Sequence, residues 1–525
     1  MKQEQKYDYD YILIGSGFGG SVSALRLAEK GYNVLVIEKG KWYKPLDFAK
    51  TNWDLKRWMW MPAARFYGIF KMSLFQHVSI LSGVGVGGGS LVYANTLPVP
   101  KEKFYKTGAW AHLGDWEKEL KPYYDLALKM LGATPNPEMQ VGDKVLERIA
   151  KDMGREAHYG PTNVAVFFGK PEKTVKDPYF GGEGPERTGC NFCGSCMVGC
   201  RVGAKNTLDK NYLYLAQKKG AKIQAETQVY DVVPLDEADG ATGYKVKCEN
   251  SINLLKKDKQ EFTCKGVVFS GGVLGTNELL LKLKKTSLPR LSEKVGHDIR
   301  TNSESLVTVT STDKNATFSK GVAIGSILHT DDHSHVEPVR YAPGNGFWRL
   351  LLIPMVYEKN PLKRFGKLGM DYLRHPLKNL KVMSVSDWSK QTQILLFMQT
   401  LDSKLKLSLA PFGQMMTSLV EGPAPSSFIP EAEQIAGKFA SIVNGKPQVL
   451  FNETLLGIPT TAHILGGAIK GKDAAEGVVD KYNRVFGYQN MMVCDGSMVS
   501  ANPGVNPSLT ITALSEHAMS KIPAK

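Results

Sequence analysis

Gly15, Gly17 and Gly20 in the run Gly15-Ser16-Gly17-Phe18-Gly19-Gly20 have the spacing of a turn that brings backbone amides against a pyrophosphate. Gly15 permits the tight turn, Gly17 leaves room for the phosphate, and Gly20 lets a helix lie close on a strand. Glu38 follows 23 positions after Gly15, near the separation at which an acid bonds a ribose hydroxyl and disfavours a 2′-phosphate. A second run, Gly83-Val84-Gly85-Val86-Gly87-Gly88-Gly89-Ser90, offers bare backbone to a large flat ligand and amides to phosphate. Cys190, Cys193, Cys196 and Cys200 have the ferredoxin spacing, with Arg201 where bacterial ferredoxins carry proline. Three readings are open for them: an iron-sulfur cluster, a structural zinc, or uncoordinated thiols that pack a loop. A cluster near a redox cofactor would pass single electrons to an outside acceptor.

These residues need particular elements to hold them. The β-branched and aromatic run 9–14 predicts a strand, 21–30 a helix and 33–37 a second strand ending at Glu38, so the glycines fall in a strand-turn-helix unit. Residues 266–276 repeat strand, glycine turn (Gly271-Gly272) and helix. Near the end, 491–497 bring a strand to an Asp495-Gly496 turn, and Gly504-Val505-Asn506-Pro507 precedes a helix from 509 to 521. A chain of 525 residues needs more than one core, and its 42% hydrophobic and 22% charged content is that of a globular protein. The net charge of +15 comes without a zinc-finger, homeodomain or RRM signature, so nucleic acid is not expected as a partner.

The polar stretch 1–10 leaves no room for a secretory signal, and no run of 18 apolar residues is present. Cys248, Cys264 and Cys494 are scattered and form no disulfide framework, so a reducing, cytoplasmic setting is expected. Residues 53–75 interleave aromatics with basic residues, and 347–390 carry nine Lys and Arg against three acids. Such segments suit a peripheral membrane contact or an apolar tunnel; equally, they suit core faces beside solvated charge.

Taken together, Gly15–Gly20, Gly83–Asn95, the cysteine run through Asn206-Thr207-Leu208, residues 300–305, residues 335–341 and His463 to the C-terminus resemble the glucose-methanol-choline (GMC) oxidoreductases. Within that family the chain is most similar to the cholesterol-oxidase-like branch of mycobacteria. The resemblance implies an α/β fold: a Rossmann-type FAD-binding domain from residues 1–110, 190–300 and 456–525, a connecting or cap segment at 111–189, and a substrate domain with an antiparallel sheet at 301–455. It implies FAD bound by Gly15, Gly17, Phe18, Gly19, Gly20, Glu38, Gly83, Gly87, Gly88, Gly89, Ser90, Asn95, Gly272, Asp495, Gly496, Asn506 and Pro507. It also places His463 and Asn506 over the flavin ring. His463 would take the hydroxyl proton of an apolar, sterol-like alcohol while Asn506 holds the oxygen, and the electrons would leave to oxygen or another acceptor. The glutamate that sterol oxidases of this type place in the substrate domain is missing from 342–348, which puts steroid isomerisation in doubt. Glu337 could substitute, or could pair with Arg340. His329, His333 and His335 alternate on one strand and suit hydrogen bonding better than a metal.

Overall fold

The computed structural model describes residues 7–253 and 256–525, so Met1–Lys6 of the polar lead-in lie outside it. Two seven-stranded sheets organise the chain. In the first, Lys222–Gln224, Val34–Ile37, Tyr9–Ile14 and the C-terminal half of Gln260–Phe269 run parallel, and Met491–Val493 joins the far side of Gln260–Phe269. Its N-terminal half continues antiparallel into Tyr244–Asn250 and Thr227–Pro234. The central strands are apolar without alternation because both faces are covered. Leu13, Val34 and Val36 face the helices Phe18–Glu29, Trp116–Met130, Tyr212–Lys218 and Ser508–Ser520. Ile12, Leu35 and Ile37 face the opposite layer, which includes the helix Gly272–Lys284.

The second sheet is antiparallel, in the order Leu352–Pro354, Gly445–Leu450, Glu304–Ser311, Thr392–Gln399, Ser334–Val339, Ser326–His329 and Tyr159–Pro161. Its strands alternate with period two. Val307, Val309, Leu395 and Phe397 pack on the helices Val141–Asp152 and Pro430–Ile442. Ile394, Leu396 and Leu450 point the other way, toward Trp58, Phe70 and Trp348. The expected combination of a Rossmann-type unit and a discontinuous antiparallel domain is present. The segment 111–189 contributes to both lobes: a helix on the first sheet and the strand Tyr159–Pro161 at the edge of the second.

The aromatics of 53–75 are largely core. Trp58 is buried and stacks on Phe70 with ring centroids 4.8 Å apart, while Lys56 and Arg57 stay in water. Among the described residues no helix is long and apolar enough to cross a membrane.

Candidate functional site

One cavity of about 470 Å³ runs from the first glycine turn to the apolar face of the second sheet. At the turn, Gly15 has φ 108°, and a Cβ there would lie 2.3 Å from the Ser270 carbonyl oxygen. A Cβ on Gly20 would lie 2.2 Å from the Gly15 carbonyl oxygen, which is the close helix-to-strand packing expected of it. At Gly17 a Cβ would meet no protein atom within 4 Å; the space in front of it belongs to the cavity. No side chain caps the helix Phe18–Glu29, so its first-turn N–H groups are left for an anion.

Glu38 lines the cavity and braces the turn, accepting from Ser16 N at 3.1 Å, Ser16 Oγ at 2.7 Å and Gly40 N at 2.8 Å. Its remaining lone pairs suit a ribose hydroxyl. Gly83, Gly88, Gly89, Gly272, Asp495, Gly496 and Pro507 also line the cavity. Asp495 does double duty: it accepts from Thr276 Oγ1 at 2.5 Å and Ser497 N at 2.8 Å, closing the turn it occupies. The donors, bare glycines and length of this cradle fit a flavin dinucleotide.

Four expected contacts are placed differently. Gly20, Gly87, Ser90 and Asn95 stand outside the cavity wall. Ser90 ties its own loop, donating to Gly87 O at 2.6 Å and accepting from Leu208 N at 3.1 Å. Asn95 is buried with left-handed backbone at φ 71°, a conformation asparagine tolerates, and its amide nitrogen and oxygen are buried without a hydrogen-bond partner among the described residues.

At the far end, His463 and Asn506 both line the cavity. The His463 ring is fixed by a residue that sequence reasoning passed over. Its Nδ1 lies 2.7 Å from Oε2 of Glu304, the first residue of Glu304–Ser311. The Glu304 carboxylate also accepts from Ala462 N at 2.6 Å, from His463 N at 3.2 Å and from the Thr461 hydroxyl. Burial would raise its pKa, but His463 and these donors outweigh burial and hold it below the ordinary carboxylate value. A charged Glu304 accepts a hydrogen bond from the Nδ1–H and leaves Nε2, which makes no hydrogen bond among the described residues, as the acceptor. The signal that could have found Glu304 is a carboxylate opening an otherwise apolar and hydroxyl-bearing buried strand.

Glu337 is fully buried beside Asn506. With the Asn506 amide turned so that its nitrogen faces the carboxyl, that nitrogen donates at 3.0 and 3.3 Å. One N–H and the amide oxygen stay available. Burial pushes Glu337 up to about 8, so it is a neutral acid near pH 7. The alternative pairing of Glu337 with Arg340 is not the one formed: Arg340 reaches Asp143 at 2.9 Å instead. Loop 342–348, where a base was sought, is a latch in which Asn345 and Asn52 exchange hydrogen bonds with backbone, and only Trp348 of it reaches the cavity. His329 and His335 meet at a tilt of 56°, with ring centroids 5.6 Å apart, and burial lowers the pKa of both.

The geometry supports neither metal reading of the cysteines. Among the described residues no three His, Cys, Asp or Glu are placed to hold a metal ion. The cavity shared by Cys190, Cys193, Cys196 and Cys200 is about 10 Å³, room for roughly one water. The loop is organised by the buried Lys205, whose Nζ donates to Leu91 O, Tyr93 O and Cys196 O at 2.8–3.0 Å. Burial pushes Cys190 up to about 12 and Cys196 to about 11, keeping them as neutral thiols.

A parallel sheet with a glycine turn, a cradle long enough for FAD and an oriented imidazole at its reactive end define a flavin-dependent oxidoreductase. Sequence comparison agrees: the GMC oxidoreductase profiles match residues 185–296 and 435–515, and an NAD(P)-binding Rossmann-like profile matches 13–41. A cholesterol oxidase of Acinetobacter baumannii is 45% identical over 99% of this chain and 95% of its own. One of Mycobacterium tuberculosis is 42% identical over 99% and 92%. Pyridoxine 4-oxidase from Mesorbium loti superposes with a TM-score of 0.61 at 13% identity, covering 98% of both chains. The chain belongs to the GMC oxidoreductase family, and it is an FAD-dependent enzyme acting on CH–OH donors.

Proposed function

We propose that the substrate is a bulky apolar, sterol-like alcohol, oxidised at its hydroxyl-bearing carbon. The observation that carries this reading is the far end of the cavity, where Leu306, Tyr341, Trp348, Leu352, Ile394, Leu396 and Leu450 form an apolar lobe against the polar pair His463 and Asn506. An extended hydrocarbon fits the lobe and presents its one hydroxyl to the pair. The glycine turns, Glu38 and Asp495 would hold FAD, which would supply the hydride acceptor for this oxidation. His463 Nε2 takes the hydroxyl proton, and Glu304 balances the imidazolium that forms. Asn506, braced by Glu337, holds the oxygen so that its C–H is aimed at the ring.

Oxygen is the acceptor we favour, in keeping with the oxidases to which the chain is similar. A reducing compartment accords with seven cysteines that are all free thiols. A station on a membrane surface belongs to the same reading, because alcohols of this kind are held in lipid. The test is anaerobic mixing of the FAD-loaded enzyme with cholesterol, a long-chain alcohol or a short alcohol. Bleaching of the flavin by the sterol well ahead of the others is expected; bleaching by the short alcohol alone would overturn the substrate class.

A further inference from the structure

The helices Pro361–Arg374 and Pro376–Met383 are amphipathic in the wrong sense for a water-facing surface. A surface helix ordinarily turns its apolar stripe to the core. Here Leu362, Phe365, Leu373, Leu377, Leu380 and Met383 recur every three to eight residues across both helices and point outward. Leu362 is 83% exposed, Leu373 77%, Leu377 72% and Leu380 64%.

The inward side is polar. Arg364 is buried and donates to Glu358 O at 2.8 Å and Leu455 O at 3.3 Å, while Asp371 receives Lys446 Nζ at 2.5 Å. Anchoring by polar groups leaves the leucines without a protein partner among the described residues. Asp371 is the only acid from 361 to 383, and it is taken by Lys446. Lys367 pairs with Glu358 at 2.9 Å, while the exposed Lys363 and Lys381 beside the stripe make no ion pair among the described residues. An apolar face flanked by lysines is complementary to an anionic lipid surface. The second helix packs on Gly445–Leu450, the strand whose Leu450 lines the cavity.

We propose that residues 361–383 are the membrane-docking element, seating their leucine face in an anionic phospholipid surface next to the wall of the apolar lobe. This deepens the reading of an apolar alcohol substrate and names where the enzyme meets its source.

The experiment is co-sedimentation of the FAD-loaded protein with phosphatidylglycerol/phosphatidylcholine vesicles and with phosphatidylcholine alone. Wild type, Leu373→Glu/Leu377→Glu and Lys363→Glu/Lys381→Glu are compared, with light scattering on each. Wild type should bind the anionic vesicles. The leucine variant should lose about tenfold or more in affinity, and the lysine variant should lose the preference for anionic lipid. Both variants should keep their flavin and their rate of flavin reduction by a detergent-dispersed alcohol, a readout that tests the substrate reading separately. Vesicle binding by the leucine variant equal to wild type, or none by wild type, would overturn the proposal. So would a wild-type dimer that the leucine variant turns to monomer without any vesicle binding, which would assign the stripe to a second copy.

Discussion

At the scale of single residues, the working unit we propose is Glu304, His463 and the substrate hydroxyl, of which the Glu304–His463 contact is the part the fold builds. His463→Ala should lower flavin reduction by about 10²- to 10⁴-fold with FAD still bound, the usual worth of a positioned acid-base group. Glu304→Gln should lower it by less, and in the His463→Ala background should change it very little, since both act through one imidazole. Stopped-flow reduction of the four proteins across pH measures this, and a Glu304→Gln rate equal to wild type would dismiss the tautomer argument. His463 and Asn506 came from the resemblance of the C-terminal segments to GMC oxidoreductases, and the fold brings both to one cavity. Glu304 was not legible, because its partner stands 159 positions away and only the pairing of strand and loop brings them together. The partner of Glu337 was also out of reach: sequence offered Arg340 three positions on, whereas the fold supplies Asn506 and gives Arg340 to Asp143.

At the scale of elements, the first turn separates glycines that the fold needs from one that the ligand needs. Gly17 has φ −70°, open to any residue, and faces empty cavity, so Gly17→Val should fold and yet exclude the pyrophosphate. Flavin absorbance at 450 nm after purification, beside far-UV circular dichroism, should show a folded, colourless protein. A yellow, fully loaded variant would refute the phosphate position. Strand-turn-helix units were readable because their backbone demands are local, and the glycines announce them. The cysteine run was misleading for the same reason in reverse: its spacing is a local signal, but the loop is set by Lys205 reaching carbonyls at 91 and 93, far away in sequence. The stretch 53–75 could not be resolved by pattern alone, since Trp and Phe stacked in a core and Trp and Phe on a membrane face read alike.

At the scale of the whole molecule, buried acids couple stability to pH. Burial raises Glu337 and Glu453 to about 8, far above the ordinary carboxylate value of 4.5 they regain on unfolding. The folded state therefore binds more protons than the unfolded one between those values. The stability these groups contribute is complete below about 4.5 and is lost as pH rises through about 8. Between pH 6 and 9 the thermal midpoint of FAD-loaded Glu337→Gln should gain on that of wild type as pH rises, because the variant lacks the carboxyl that must ionise; a constant difference would mean that the carboxyl is already ionised. Length asked for more than one core, and the resemblance to the GMC oxidoreductases supplied the second, antiparallel sheet; the contribution of segment 111–189 to both lobes was not readable, because edge pairing leaves no mark on a three-residue strand.

The same plan has a consequence for how the enzyme is made. The strand Met491–Val493 completes the sheet that Tyr9–Ile14 begins, and Arg26 of the first long helix is clamped to Glu516 of the last at 2.7 Å. On a ribosome adding about 5–20 residues per second, the sheet begun by the first strand waits roughly half a minute or more for its last one, which pairs with Gln260–Phe269. During that time an apolar sheet edge and a helix groove stay open, a hazard that chaperones exist to cover. Asp495, Gly496 and Pro507 form part of the cradle wall, so the full FAD site exists only once the C-terminal segment has folded onto the sheet.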